Sequence, residues 1–166
     1  MIHTDRFNGS SARNEEGPMG KHDAPLFTCC GGDTPVGNMT TQSKIRFHLG
    51  QTALAVAVHL MSEKVPGAPV VNDKQELMGF ISEFDVLRAL EESKDLSKMT
   101  AADIMTKSCV TVTSEAPIKE VARIMEERHL LTLPVVGQDG KVLYSVTRKD
   151  LLRAWVGMGL DIGAEA

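Results

Sequence analysis

Ser82-Glu83-Phe84-Asp85-Val86-Leu87-Arg88-Ala89 and Thr147-Arg148-Lys149-Asp150-Leu151-Leu152-Arg153-Ala154 are two versions of one local design. A hydroxyl residue, two variable residues and an aspartate lead into an apolar helix start. Upstream of each lies a second strand, at 77–81 and 142–146. Before that come a polar turn (Asn72-Asp73-Lys74-Gln75; Gly137-Gln138-Asp139-Gly140) and a short apolar run (Ala68-Pro69-Val70-Val71; Leu133-Pro134-Val135-Val136). Further upstream are two apolar stripes at helical spacing. Leu54, Ala57, Val58 and Met61 form the first; Ile118, Val121, Ala122 and Met125 form the second. The offset between the copies is about 65 residues, with a one-residue slip before the prolines.

Each copy reads as strand, helix, strand, strand, helix. The opening strands are expected near 45–49 and 110–113. Thr52 and Ser114 are the expected helix N-caps, with Pro117 in a first turn. The i, i+3, i+4, i+7 pattern makes one apolar face per helix, and on that pattern Met61 and Met125 are core residues. The Val-rich runs suit strands covered by helices. A unit this small exposes its sheet when alone, and a pair can bury sheet against sheet. The polar stretch 91–101 joins the units, and 102–106 is expected to start the second with a short helix. Gly, Pro, Ser, Asn and charges dominate the first 38 or so residues, which read as a flexible arm.

Composition narrows the function. The net charge of −4 is spread with mixed signs, so nucleic acid is left out of the expected partners. One Trp and one Tyr make no stacking platform. The three cysteines, Cys29, Cys30 and Cys109, form neither a disulfide framework nor a Cys-x-x-Cys pair, which points to a reducing, cytoplasmic setting. Cys109 reads as a small apolar filler at the start of a strand. No stretch approaches the roughly 20 apolar residues of a membrane span, and residues 1–13 lack a signal-peptide core. The five histidines show no metal-ligand spacing, and no nucleophile–base arrangement is present; neither a catalytic nor a metal residue is expected.

The Pro-Val-Val runs, Gly79-Phe80-Ile81-Ser82-x-x-Asp85, Val146-Thr147-x-x-Asp150, the lead-in Asp103-Ile104-Met105-Thr106 and its weaker copy Met39-Thr40 together resemble the CBS-domain family, named after cystathionine beta-synthase. Two such motifs in tandem form a Bateman module. The resemblance runs from 39 to about 156. It implies an α/β (α+β) fold of two β-α-β-β-α motifs packed by pseudo-two-fold symmetry through their sheets. The expected layout is an arm 1–38, a first motif 39–93, a linker 94–101, a second motif 102–156 and a tail 157–166, with 39–156 as one paired domain.

The resemblance also implies two clefts that take AMP, ADP, ATP, S-adenosylmethionine or related ligands, no required cofactor, and a regulatory rather than catalytic role. Carried over, Asp85 and Asp150 hold ribose hydroxyls, and Ser82 and Thr147 approach ribose or phosphate. Adenine lies on the partner motif: Val65, Ala68 and Pro69 opposite Thr147, and Leu133 and Pro134 opposite Ser82. Arg148 and Lys149 favour phosphate in the Thr147/Asp150 cleft, whereas Glu83 repels it in the other. A homodimer through helices is implied, with Trp155 and Val156 as candidate contacts, and an unknown protein regulated in trans.

The same residues support a plainer reading. Ser or Thr followed three residues later by an acid is a capping box, which stabilises a helix start without any ligand. On that reading the chain is a dimeric scaffold with empty clefts. Two departures from the family pattern stand out. Tyr144 sits where Gly79 sits in the first copy. The positions before the strand prolines, Pro66, Gly67, Leu131 and Thr132, lack the Arg or His of strong phosphate binders, although Arg128 and His129 lie slightly earlier.

Overall fold

The computed structural model describes residues 32–40 and 42–157. Cys29, Cys30, residues 1–31 of the expected arm and residues 158–166 of the expected tail lie outside the described residues. The first motif comprises β1 (Phe47–His48), α1 (Ala53–Glu63), β2 (Gly67–Val71), β3 (Leu77–Ser82) and α2 (Glu83–Glu91). A short α3 (Ala101–Ile104) follows, then α4 (Ile118–Glu127), β4 (Thr132–Val136), β5 (Val142–Thr147) and α5 (Arg148–Trp155). The fold is the expected mixture of small sheets and helices in two like halves.

The registers of the two hairpins match. Ala68 pairs with Ile81 and Pro69 with Phe80; Leu133 pairs with Val146 and Pro134 with Ser145. A proline has no N–H to give a neighbouring strand. The opening segments accordingly pair just beyond the prolines, Phe47 with Val70 and Val112 with Val135, both in parallel. In the second copy this pairing is a single bridge, so the strand expected at 110–113 does not form, and β1 is only two residues long. Across the motifs, β2 packs on β4 and β5. Arg46 ties the hairpin ends together, donating to Gln75 Oε1 (2.8 Å) and to the carbonyls of Val142 (3.2 Å) and Leu143 (3.3 Å).

The segments preceding the motifs are exchanged. Thr106, ahead of the second motif, bonds through both its N–H and its carbonyl to Phe80 in β3 of the first (2.9 Å each). Ser43, ahead of the first motif, makes the same two bonds to Ser145 in β5 of the second (2.9 and 2.8 Å). The stretches before them follow suit. Leu96 and Ala101 are buried in the first core with Phe47, Val56, Leu60 and Ile81. Val36 and Met39 are buried in the second core with Ile118, Val121, Met125 and Leu133. Val36 of the expected arm is thus part of the second core, and its stretch is held there by Val36 N–H to Ala116 O (3.0 Å) and Gly37 N–H to Ser114 O (2.8 Å). Within the expected linker, Leu96 and the start of α3 pack against α1, and the carbonyls of Leu96 and Met99 accept from Leu54 and Ala53.

Several local expectations are corrected. In α1 the buried stripe is Ala53, Val56 and Leu60, while Leu54, Val58 and Met61 are exposed, Met61 by 68%. The cause is composition: α1 is apolar all round, so spacing alone cannot select its inner face. Met125, on the strongly two-faced α4, is buried as expected. Thr52 caps α1, accepting from Ala55 N–H (3.3 Å). Ser114 does not cap α4; Pro117 is the N-cap residue, and the Ser114 hydroxyl donates to Glu115 (2.7 Å). Cys109 belongs to no strand and is half-buried.

If residues 32–39 complete the second core, Met39→Ala removes a side chain only 3% exposed and is expected to cost about 2–5 kcal/mol in urea unfolding. A loss below about 0.5 kcal/mol, the level of an ordinary surface change, would show that the segment is not part of that core.

Candidate functional site

Each hydroxyl-x-x-aspartate sequence sits where a strand turns into a helix. Ser82 and Thr147 are N-caps, and both make full capping boxes. Asp150 Oδ2 accepts from Thr147 N–H (2.8 Å) and Thr147 Oγ1 (2.7 Å), while Asp150 N–H donates back to Thr147 Oγ1 (3.2 Å). Asp85 Oδ2 accepts likewise from Ser82 N–H (2.8 Å) and Ser82 Oγ (2.6 Å). Capping is therefore present in both copies. A third such pair, Thr100 with Asp103, opens the four-residue α3 on an exposed surface, so the sequence signal by itself marks only a helix start.

The two aspartates differ in what remains free. A carboxylate has about four lone-pair positions. On Asp85 the second oxygen, Oδ1, also accepts from Thr106 Oγ1 (3.1 Å) and lies 3.8 Å from Arg88. On Asp150, among the described residues, Oδ1 has no partner. Two positions thus stay open on Asp150, enough for a vicinal diol, against about one on Asp85. Ser43, which pairs with β5 as Thr106 pairs with β3, turns its hydroxyl instead toward Ile45 N–H (3.4 Å).

A cleft of about 460 Å³ opens beside Asp150, lined by Thr147, Arg148, Lys149, Asp150 and Arg153 from α5, by Lys64, Val65 and Pro66 across the motif boundary, and by Gln42, Ser43 and Leu131. A cleft of about 340 Å³ opens beside Asp85. Its wall includes Ser82, Glu83, Asp85 and Arg88, with Thr106, Cys109, His129, Thr132, Leu133 and Pro134 from the other side. The expected partners of each turn are brought together with two exceptions: Ala68 and Pro69 are buried within β2 and do not line the Asp150 cleft. Arg128 lines neither cleft, whereas His129 reaches the Asp85 cleft. Tyr144 packs against the second core rather than crowding a cleft. Gly79, its counterpart, lets the exchanged segment approach closely, because an added Cβ would sit 2.9 Å from the Thr106 carbonyl oxygen.

Charge separates the clefts. Lys64, Arg148, Lys149 and Arg153 face one acid, Asp150, and none of the four makes an ion pair among the described residues. Arg148 Nε is anchored on Leu130 O (2.8 Å). The corresponding places beside Asp85 carry His129, Glu83, Phe84 and Arg88. Lys64 and His129 share one backbone feature: each follows the first helix of its motif with a left-handed φ, 54° and 53°. That conformation suits glycine and costs another residue roughly 1–2 kcal/mol. It turns each chain from helix to strand at a cleft wall. Lys64 and Arg153 were not among the residues singled out from sequence. Arg153 was signalled by its place three residues after Asp150, one helical turn; Lys64 depends on the left-handed exit, which spacing does not reveal.

Burial, and then the nearby Asp85 carboxylate, push the Cys109 thiol above its ordinary range. Burial raises the Tyr144 phenol, with Glu115 adding to it. Among the described residues no three His, Cys, Asp or Glu side chains are grouped to hold a metal ion, and no helix is long and apolar enough to cross a membrane.

Comparison with known proteins agrees with this architecture. An uncharacterized protein of Methanopyrus kandleri is 28% identical over 119 residues, covering 71% of this chain and 61% of that protein. A homoserine O-acetyltransferase of Methanococcus vannielii is 26% identical over 116 residues, which cover 70% of this chain but only 24% of the enzyme. The chain thus spans less than two thirds of these relatives. Among solved structures, the CBS domain pair of protein MJ0100, in complex with 5′-methylthioadenosine and S-adenosylmethionine, superposes with a TM-score of 0.64 at 27% identity, covering 72% of this chain and 98% of that one. CBSX2 in complex with AMP gives a TM-score of 0.62 at 27% identity, covering 72% and 94%; the chloroplastic CBSX2 of Arabidopsis thaliana is 28% identical over 152 residues. The CBS domain model matches residues 36–92 and again 101–157. With two matched copies, exchanged lead-in segments and paired clefts, the chain belongs to the CBS domain family as a tandem pair.

Proposed function

We propose that this chain is a non-catalytic regulatory module that binds an adenosyl ligand between its two motifs, works as a homodimer and signals to another protein in trans. The Asp150 cleft is the principal site and takes a phosphate-bearing ligand, AMP, ADP or ATP. Asp150 and Thr147 hold the ribose, Val65 and Pro66 bound the base, and Lys64, Arg148, Lys149 and Arg153 face the phosphates. The observation that carries this reading is the pairing of an aspartate with one free oxygen and four cations with no ion-pair partner in the same cleft. Vicinal hydroxyls suit such an oxygen, and guanidinium and ammonium groups suit phosphate. The N-terminus of α5 adds its positive dipole end. The bound AMP of CBSX2 and the bound S-adenosylmethionine of MJ0100 lend support from relatives.

The Asp85 cleft, with Ser82, Asp85, Leu133 and Pro134, is read as secondary. Thr106 already occupies its aspartate, and Glu83 disfavours phosphate. An uncharged or cationic adenosyl compound such as S-adenosylmethionine fits it better than a nucleotide. The alternative of a scaffold with empty clefts draws on one observation, the third capping box at Thr100, which has no cleft.

Thermal unfolding against adenosine, AMP, ADP, ATP and S-adenosylmethionine tests the reading. The wild type gains about 2.7 kcal/mol at a ligand concentration 100 times Kd. Asp150→Ala is expected to abolish the gain with AMP. No shift with any of the five ligands leaves the scaffold. Lys64→Gly separates folding from binding: the free protein becomes more stable by about 1 kcal/mol as the left-handed strain is relieved, yet nucleotide affinity falls. Unchanged affinity would remove Lys64 from the site.

Cys109 reports on the second cleft. Its raised thiol pKa means that little thiolate is present at pH 7, so alkylation is slow there and accelerates only above the ordinary thiol range. Peptide mapping by mass spectrometry is expected to show S-adenosylmethionine slowing the reaction at Cys109 and AMP leaving it unchanged. Protection by AMP would reverse the assignment of the clefts.

A further inference from the structure

The second motif carries a groove between α4 and α5, separate from the two clefts beside the aspartates. It holds about 470 Å³ and is walled by Ala122, Met125, Leu151, Leu152 and Trp155, with Arg148 at the end away from Trp155. Leu152 is 64% exposed and Trp155 40%. Large apolar side chains left open together mark a surface that something covers. The described residues begin at this groove. Gly32 O accepts from Lys119 N–H (2.8 Å), Thr34 O accepts from Ile118 N–H (2.9 Å), and Asp33 pairs with Lys119. Gly32 is so close to the groove wall that an added Cβ would sit 3.1 Å from the Trp155 ring. The chain that precedes Gly32 therefore joins the fold beside Trp155.

That preceding chain has matching chemistry. Between Asp23 and Asp33 lies Ala24-Pro25-Leu26-Phe27-Thr28-Cys29-Cys30-Gly31-Gly32, the longest stretch of residues 1–33 without Asp, Glu, Lys, Arg or His. Phe27 is five residues from Gly32, a reach of up to about 17 Å. From Lys119 to Glu126, α4 rises only about 10 Å, so the tether spans the groove. A tether this short also holds the segment at roughly millimolar effective concentration.

We infer that the chain's own segment 24–31 fills the α4/α5 groove, with Leu26 and Phe27 against Leu152 and Trp155. Trp155, a candidate dimer contact by resemblance, then packs on the arm of its own chain. The groove shares Arg148 with the Asp150 cleft, so the docked segment adjoins that cleft's wall. The inference depends on the groove and the tether and not on the identity of any ligand.

Trp155 is the only tryptophan, so its fluorescence reports on the groove directly. In the full chain its emission is expected to be blue-shifted and protected from acrylamide. The double variant Leu26→Asp and Phe27→Asp is expected to shift the emission to the red and to lose that protection, with circular dichroism unchanged. Should that variant not fold, a crosslink decides. With Cys29, Cys30 and Cys109 replaced by Ser, Phe27→Cys combined with Leu152→Cys is expected to form a disulfide within one chain. Phe27→Cys combined with Leu54→Cys, on the exposed face of α1, is expected to form none. Peptide mapping of mixed isotope-labelled and unlabelled chains separates links within a chain from links between chains. A Trp155 as accessible in the wild type as in the double variant would show an open groove. Protection that persists in the double variant, or a crosslink found only between chains, would put a second copy or another partner there. Each of these results would overturn the inference.

Discussion

Everything in this molecule depends on the two pairs of backbone bonds that join Phe80 to Thr106 and Ser43 to Ser145. Through them each motif's sheet is extended by the segment that leads into the other. Each core therefore includes residues from the segment that leads into the other motif. Val36 and Met39, ahead of β1, fill the second core, and Leu96 and Ala101, ahead of α4, fill the first. Arg46 and the packing of β2 on β4 and β5 reinforce the same junction. The clefts are by-products of this arrangement, because each helix-capping turn is faced by the other motif across the seam.

One scaffold used twice yields two chemically different sites. The capping box is identical in form at Ser82 and Thr147, and its role in starting a helix is complete without a ligand. What differs is the surroundings. Thr106 donates to the spare oxygen of Asp85, while Ser43 turns toward its own backbone and leaves that of Asp150 open. The left-handed exit of the first helix presents lysine to one cleft and histidine to the other. The variable pair within the turn is Arg148-Lys149 in one copy and Glu83-Phe84 in the other. These few substitutions change the local charge of the two clefts without touching the core.

The repeat made the fold legible, because hairpins, caps and turns recur in the same order and each copy checks the other. Ser82, Asp85, Thr147 and Asp150 stood out for the same reason. Four features stayed hidden. The inner face of α1, Ala53, Val56 and Leu60, cannot be read from spacing because an all-apolar helix has no stripe. The exchange of lead-in segments is a long-range choice that local sequence does not encode; Val36 and Met39 sit in a stretch dominated by Gly, Pro and polar residues. Lys64 entered the site through a backbone conformation rather than a spacing. Ala68 and Pro69 were placed on a cleft wall by resemblance, whereas the seam buries them within β2 and leaves Val65 and Pro66 exposed to the cleft.

A crystal structure of the full chain grown with AMP tests the central claim most directly. The account predicts nucleotide beside α5, with ribose hydroxyls within hydrogen-bond distance of Asp150 Oδ1 and phosphate among Lys64, Lys149 and Arg153. AMP seated only against Asp85, or both clefts empty at saturating nucleotide, would contradict it.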